Sequence, residues 1–409
     1  MITGQTREGV RYAVRQGGRA AAYCALSIRC GTRDEAGYPS GIAHFAEHTV
    51  FRGTEKKSAA RINSCLDRLG GELNAYTTKE EIVIHATVLK EDLRKAMDLL
   101  LELATVPTFP DEEIETERGV VLEEIISYKD SPSDDIYDRF EEALFAGHPL
   151  GTPILGTLKS VKKITPCDLK AFVREHFIPS AMVLTVVSPL GEEKVEKEIR
   201  RCTERWFPRI SGEPGAERTP VPVPEPFFDR AVEKRNHETN AVIGGLAPSL
   251  YDGEKRLAAI LLANLLGGPA SNSLLGQVLR EKNGWVYGVE CSYTQYADTG
   301  IMAITFGCDR PNLERCLAET ERILRKLRTD LLGPRKLKEA KKQLFGQLAI
   351  GSESGETQCL SMGKSLLSFG RIPSTEENRR AIENVTAEDI REAARRIFPE
   401  GRTCRLIYK

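Results

Sequence analysis

Apolar residues recur along this chain with two different periods. Ala22, Cys24, Leu26 and Ile28 alternate with Tyr23, Ala25, Ser27 and Arg29, a period of two that predicts a strand. EIVIHATVL, residues 81–89, is a second, β-branched run and predicts another strand. A helical pattern, LRKAMDLLLEL, follows it at once. In the second half NAVIGGLA and GIMAITFG occupy the equivalent places, and LERCLAETERIL follows Cys308 as LRKAMDLLLEL follows His85. Strands and helices do not alternate strictly. That favours an α+β sandwich, helices packed on a mostly antiparallel sheet, over a doubly wound parallel sheet.

The two halves read as copies of one unit. TPCDLKAFVREHF begins at Thr165 and TAEDIREAARRIF at Thr386, and a constant offset of 221 matches Thr165, Asp168, Arg174 and Phe177 to Thr386, Asp389, Arg395 and Phe398. Each copy opens with Thr ahead of acidic positions, as a helix N-cap does. Two long repeats imply duplicated domains rather than a solenoid. Between them SGEPGAERTPVPVPEPFF, residues 211–228, holds five prolines and two glycines, which suits a semi-rigid extended linker. The expected organisation is therefore residues 1–210, a linker at 211–228, and residues 229–409.

Composition narrows the class. The chain has 409 residues, 41% hydrophobic and 29% charged, with a net charge of -1, which fits a folded protein and gives no global field for nucleic acid or an anionic membrane. No apolar run approaches the roughly 20 residues that span a bilayer. MITGQTREGVRYAVRQGG has neither a secretory apolar core nor the look of an organellar presequence. Ten cysteines are scattered without a CxxC pair, a pattern that suits reduced, mostly buried thiols in the cytoplasm.

The chemistry concentrates in GIAHFAEHTVFRGT, residues 41–54. His44 and His48 are four apart, so on a helix both imidazoles lie on one face and can reach one ion. Glu47 lies on the flank of the same stripe, where a carboxylate faces the water of an open metal position rather than the metal. A catalytic zinc needs a third protein ligand, and ERGVVLEEIISYKD, residues 117–130, supplies candidates. Glu117 and Glu124 are seven apart and share a helix face; one can bind the metal while the other orients a histidine. A solvated acidic helix is the bland alternative for that run.

HFAEHTVFRGTEKKS followed by ERGVVLEEI resembles the pitrilysin and insulysin family, which includes the mitochondrial processing peptidases and carries an inverted zinc motif. The resemblance continues through GGELNAYTTKEE, HPLGTPILGT and LREKNGWVYG and covers nearly the whole chain. It implies a zinc metalloendopeptidase acting on extended or unstructured peptides, with one zinc per chain held by His44, His48 and Glu124. The family spacing selects Glu124, 76 residues after His48, over Glu123, and matches Glu117 to the acid that orients a histidine. Glu47 is then the general base. By the same resemblance Arg280 and Tyr287 donate to the oxyanion, and Asn74, Ala75 and Tyr76 form an edge strand that pairs with the peptide. Two departures, LLGGPASNSLLGQV at 265–278 without the usual arginine and Trp285 in place of leucine, bear on substrate fit. The second unit has no counterpart of HFAEH.

Longer relatives enclose substrate between four such units. A two-unit chain is therefore expected to pair, as a homodimer or with a paralogous chain, with Arg280 and Tyr287 of one subunit completing the zinc site of the other. The competing reading is a non-proteolytic binding or assembly subunit of the same fold. Such subunits typically lose part of the ligand set, whereas this chain keeps His44, Glu47, His48 and Glu124.

Overall fold

The computed structural model describes residues 1–207, 218, 220–221, 227–234 and 238–409. Of the expected linker at 211–228, only Arg218, Pro220, Val221, Phe227 and Phe228 are among them; the rest lies outside the described residues. The chain folds into two compact units. One comprises Met1–Ile126, Thr152–Arg218 and Ile350–Pro373; the other comprises Ser127–Gly151, Thr219–Ala349 and Ser374–Lys409.

The first unit is built on six strands, β1 (Ile2–Gln5), β2 (Arg11–Gln16), β3 (Ala21–Ile28), β4 (Glu72–Thr77), β5 (Ile82–Leu89) and β6 (Met182–Ser188), in the order β1-β2-β6-β3-β5-β4. Only β2 and β6 pair in parallel. β6, MVLTVVS, is buried at every residue, because it has a strand on each side and packing on both faces, and so its sequence does not alternate. Ala22, Cys24, Leu26 and Ile28 of β3 face one core, packed with Leu100, Phe172 and Ile199 from three helices. The opposite face, with Ala25, Val83 and Val187, is covered by the helix Gly355–Phe369 through Cys359 and Met362. Small groups allow that close fit, and Thr185 Oγ1 donates to the Cys359 carbonyl at 3.0 Å.

The second unit carries β7 (Asp229–Val232), β8 (Thr239–Ala247), β9 (Val286–Gln295), β10 (Gly300–Cys308) and β11 (Cys404–Tyr408), ordered β7-β11-β8-β10-β9. With β1 set aside, the two sheets have the same strand order, and the single parallel pair, β7 with β11, falls where β2 and β6 do. The helices Pro166–His176 and Ala387–Ile397 both open with capping boxes, Thr165 with Asp168 and Thr386 with Asp389, at the offset read from the sequence. The fold is a pair of duplicated α+β sandwich units.

The copies exchange a helix. Pro132–Leu144, from the first half of the chain, lays Ile136, Phe140 and Leu144 against Val242, Ala303 and Leu406 of the second sheet, while Gly355–Phe369 serves the first. The units are therefore not simply the stretches 1–210 and 229–409. Among the described residues no helix is long and apolar enough to cross a membrane. All ten cysteines are free thiols.

The helix Ile42–Thr49 starts from Gly41, whose φ is 89° and where a Cβ would stand 2.8 Å from the Leu155 carbonyl oxygen. Left-handed backbone and a close approach both demand glycine. Gly41→Ala is expected to cost about 2 kcal/mol or more, read from the midpoint of denaturant unfolding. Gly191→Ala, with ordinary φ and open space around the added carbon, should stay within about 0.5 kcal/mol.

Candidate metal centre

The helix Ile42–Thr49 is anchored by Ile42, Ala43, Phe45 and Ala46, all fully buried, and that leaves one stripe for chemistry. His44 and His48 stand one turn apart on it, their ring centroids 4.5 Å from each other and their planes inclined by 57°. The helix Asp111–Asp130 brings Glu117 and Glu124 to the same place. Glu124 Oε2 lies 3.8 Å from His44 Nε2 and 3.7 Å from His48 Nε2. Those separations are too long for hydrogen bonds. Three ligands at about 2.0–2.1 Å from a tetrahedral ion stand roughly 3.4 Å apart, so both separations from Glu124 come within a few tenths of an ångström of that spacing.

Protonation follows from the neighbours. Glu117 is 3% exposed; its Oε1 is 2.7 Å from His48 Nδ1, and its other oxygen is paired with the Arg52 guanidinium. Burial alone would raise the Glu117 pKa, but the His48 bond and Arg52 outweigh it and hold the carboxyl below its ordinary value. An ionised Glu117 can only accept, which places the His48 proton on Nδ1 and leaves the Nε2 lone pair toward Glu124. For His48 itself burial favours the neutral ring, yet the bond to Glu117 and the charges of Glu47, Glu117 and Glu124 raise its pKa. Burial, reinforced by His48, drives the His44 pKa down to about 3, so that ring stays neutral with a free lone pair. Neither His44 Nδ1 nor Glu124 Oε2 has a hydrogen-bond partner among the described residues, and both atoms are buried. Two imidazole nitrogens and a carboxylate oxygen thus converge without a hydrogen bond among them, an arrangement suited to a cation.

Glu47, 8% exposed, sits beside this group and accepts a hydrogen bond from Thr77 Oγ1 at 3.0 Å. Burial is the main cause of its raised pKa, opposed by His48 and Thr77 and helped by Glu124 and Glu117. Thr77 ends β4, the outermost strand of its sheet, whose Asn74, Ala75 and Tyr76 pair with His85, Ile84 and Val83 of β5 and have no strand on the other side among the described residues. Ala75 faces the same core as the motif helix, whereas the Tyr76 ring packs on the opposite face beside Met362. Arg280 and Tyr287 belong to the second unit. Arg280 lies in the short helical segment Gly276–Lys282 with Glu281 at 3.8 Å, and Tyr287 on β9 is 81% exposed.

Three contributors escape sequence reading. Arg52 lies one turn beyond His48, a spacing that could have flagged it. Thr77 directly follows the edge-strand residues. Glu35, described below, gives no sequence signal, because its role depends on a turn folding back on the motif helix.

Residues 12–158 match the family described as Insulinase (Peptidase family M16), and residues 163–344 match the Peptidase M16 inactive domain. The uncharacterized zinc protease YmxG of Bacillus subtilis (strain 168) is 30% identical over 380 residues, covering 93% of this chain and 91% of the relative. The uncharacterized zinc protease SCO5738 of Streptomyces coelicolor is 32% identical over 385 residues, covering 90% and 80%. The chain belongs to peptidase family M16, the insulinase family. Among solved structures a protease from Helicobacter pylori superposes with a TM-score of 0.87 at 21% identity, covering 100% of this chain and 99% of that one. A peptidase M16 inactive domain from Pseudomonas fluorescens gives 0.88 at 20%, covering 100% and 97%; both show the shared fold.

Glu117→Gln keeps an acceptor for His48 but removes the charge that fixes its tautomer. Zinc affinity, measured by competition with a chromophoric chelator, should fall roughly tenfold to a hundredfold.

Proposed function

We propose that the chain is a zinc-dependent endopeptidase, with His44, His48 and Glu124 holding one ion. The observation that carries this reading is the convergence of one ligand atom from each of His44, His48 and Glu124 within 4.8 Å of one another, with Glu47 alongside. Zinc bound there supplies a Lewis acid for a peptide carbonyl and brings the ionisation of water close to neutral pH. Glu47 takes the proton of the attacking water on a carboxylate oxygen and passes it to the leaving amine nitrogen. Its raised pKa favours that second transfer. The Thr77 hydroxyl keeps the carboxylate aimed while it does so.

Substrate lies along β4. The outer backbone edge of Asn74, Ala75 and Tyr76 pairs with an extended peptide, so recognition depends more on conformation than on side chains. Tyr76 contributes its main chain, since its ring is engaged on the other face of the sheet. Arg280 and Tyr287 donate hydrogen bonds to the oxyanion, in a homodimer or with a paralogous partner, each chain lending its pair to the other. The exposed phenol of Tyr287 supports that use. Ten free thiols suit a reducing compartment such as the cytoplasm.

Wild type and Glu47→Gln should both retain one zinc per chain by metal analysis, while only the wild type cleaves quenched-fluorescence peptides; the variant should lose roughly 10²–10⁴ in turnover. Zinc without cleavage of any peptide by the wild type would replace this reading with a binding or assembly role. A mixture of His44→Ala and Arg280→Ala chains should regain part of the activity that each lacks alone. A mixture as inactive as its parents would exclude shared sites.

A further inference from the structure

The motif helix has no cap of its own. Its N-cap is Gly41, which carries no side chain, and its first turn contains no acidic residue. Helix N-termini expose backbone N–H groups that need an acceptor. Here the acceptor comes from outside. Glu35 Oε1 and Oε2 lie 3.1 and 3.0 Å from Gly41 N, and Oε1 lies 3.0 Å from Ala43 N. Ala43 directly precedes His44.

The turn that bears Glu35 is itself held fast. Asp34 caps Gly31 N at 2.9 Å and receives a forked pair of bonds from Arg218, both 2.9 Å long. Arg218 also donates to the Glu80 carbonyl at 2.8 Å, and Arg33 donates to the Glu80 side chain at 2.7 Å. Backbone bonds run from Thr32 N to Thr78 O and from Arg33 N to Lys79 O. One framework therefore reaches the site twice, through Glu35 to the start of the motif helix and through Thr77 to Glu47.

We propose that Glu35 is a positioning residue of the metal centre: by standing in for the missing cap, its buried carboxyl group sets the axial placement and rotation of the helix and hence the aim of the His44 imidazole. The proposal rests on the reading that His44, His48 and Glu124 hold the ion. Burial pushes the Glu35 pKa up to about 8 against the two N–H groups and nearby Lys79. A carboxyl raised in the folded state adds stability below its unfolded pKa and loses it as pH climbs through the folded value. The carboxyl is therefore largely protonated near neutral pH, and the stability it adds is lost as pH climbs past about 8.

The test uses the full-length chain loaded with Zn²⁺ or Co²⁺, comparing wild type with Glu35→Gln and Glu35→Asp. Glutamine keeps the shape but turns an amide donor toward an N–H; aspartate keeps the carboxyl group but shortens the arm. The glutamine variant should bind both metals roughly tenfold to a hundredfold more weakly and show altered Co²⁺ ligand-field bands. Its metal-free melting temperature should move by less than about 3 °C. Aspartate should show a smaller loss in the same direction, and it decides the matter if the glutamine variant does not fold. Wild-type affinity and an unchanged Co²⁺ spectrum in the folded variants would overturn the proposal. A wild type that binds neither metal would overturn it together with the metal reading. A wild type that binds metal but cleaves no peptide defeats only the peptidase reading and leaves the Glu35 comparison legible.

Discussion

The constraint on which this structure turns is a group of metal-binding atoms brought together without hydrogen bonds among them. His44 Nε2 and His48 Nε2 stand 3.8 and 3.7 Å from Glu124 Oε2. Leaving a buried polar atom unsatisfied costs on the order of 1–3 kcal/mol, and Glu124 Oε2 is such an atom. Surrounding groups prepare the place rather than fill it. Glu117, paired with Arg52, engages His48 at the far nitrogen, and burial keeps His44 neutral. A divalent cation there would take the two ring nitrogens and the carboxylate oxygen together.

Much of this was legible in the amino-acid sequence, for a physical reason. Two candidate ligands and a candidate base within five residues of one helix are related by helical geometry alone, so His44, Glu47 and His48 could be grouped before any fold was known. The strand alternation of Ala22 to Ile28 and the Thr165 and Thr386 caps are equally local, and the structure reproduces both. The choice of Glu124 over Glu117 and Glu123 was different. It needed the family spacing, because a helix periodicity shows which residues share a face but not what lies opposite them.

The rest depended on contacts between segments far apart in the chain. Ala25 falls on the alternate side of the β3 pattern, yet with Val83 and Val187 it is buried beneath Cys359 and Met362 from a helix more than 150 residues further on. Glu35 carries no local pattern in the sequence that sets it apart. Its importance arises only when the turn at Gly31–Glu35 folds against the turn after β4, bringing a carboxyl group under the first peptides of the motif helix. Tyr76 illustrates the opposite case, an aromatic whose ring is occupied in packing while its backbone remains at the sheet edge.

The traded helices carry a consequence for how such a molecule can be assembled. A lone copy of the repeat would leave one face of its sheet bare, with an apolar helix projecting and nothing beneath it to cover. Two separate copies could cure each other only by reciprocal swapping, which makes association a condition of folding. Joining the copies in one polypeptide turns that encounter into an intramolecular event at high effective concentration. Severing the chain between them should therefore yield two fragments that are each sticky and incomplete alone, and that become ordered only in each other's company.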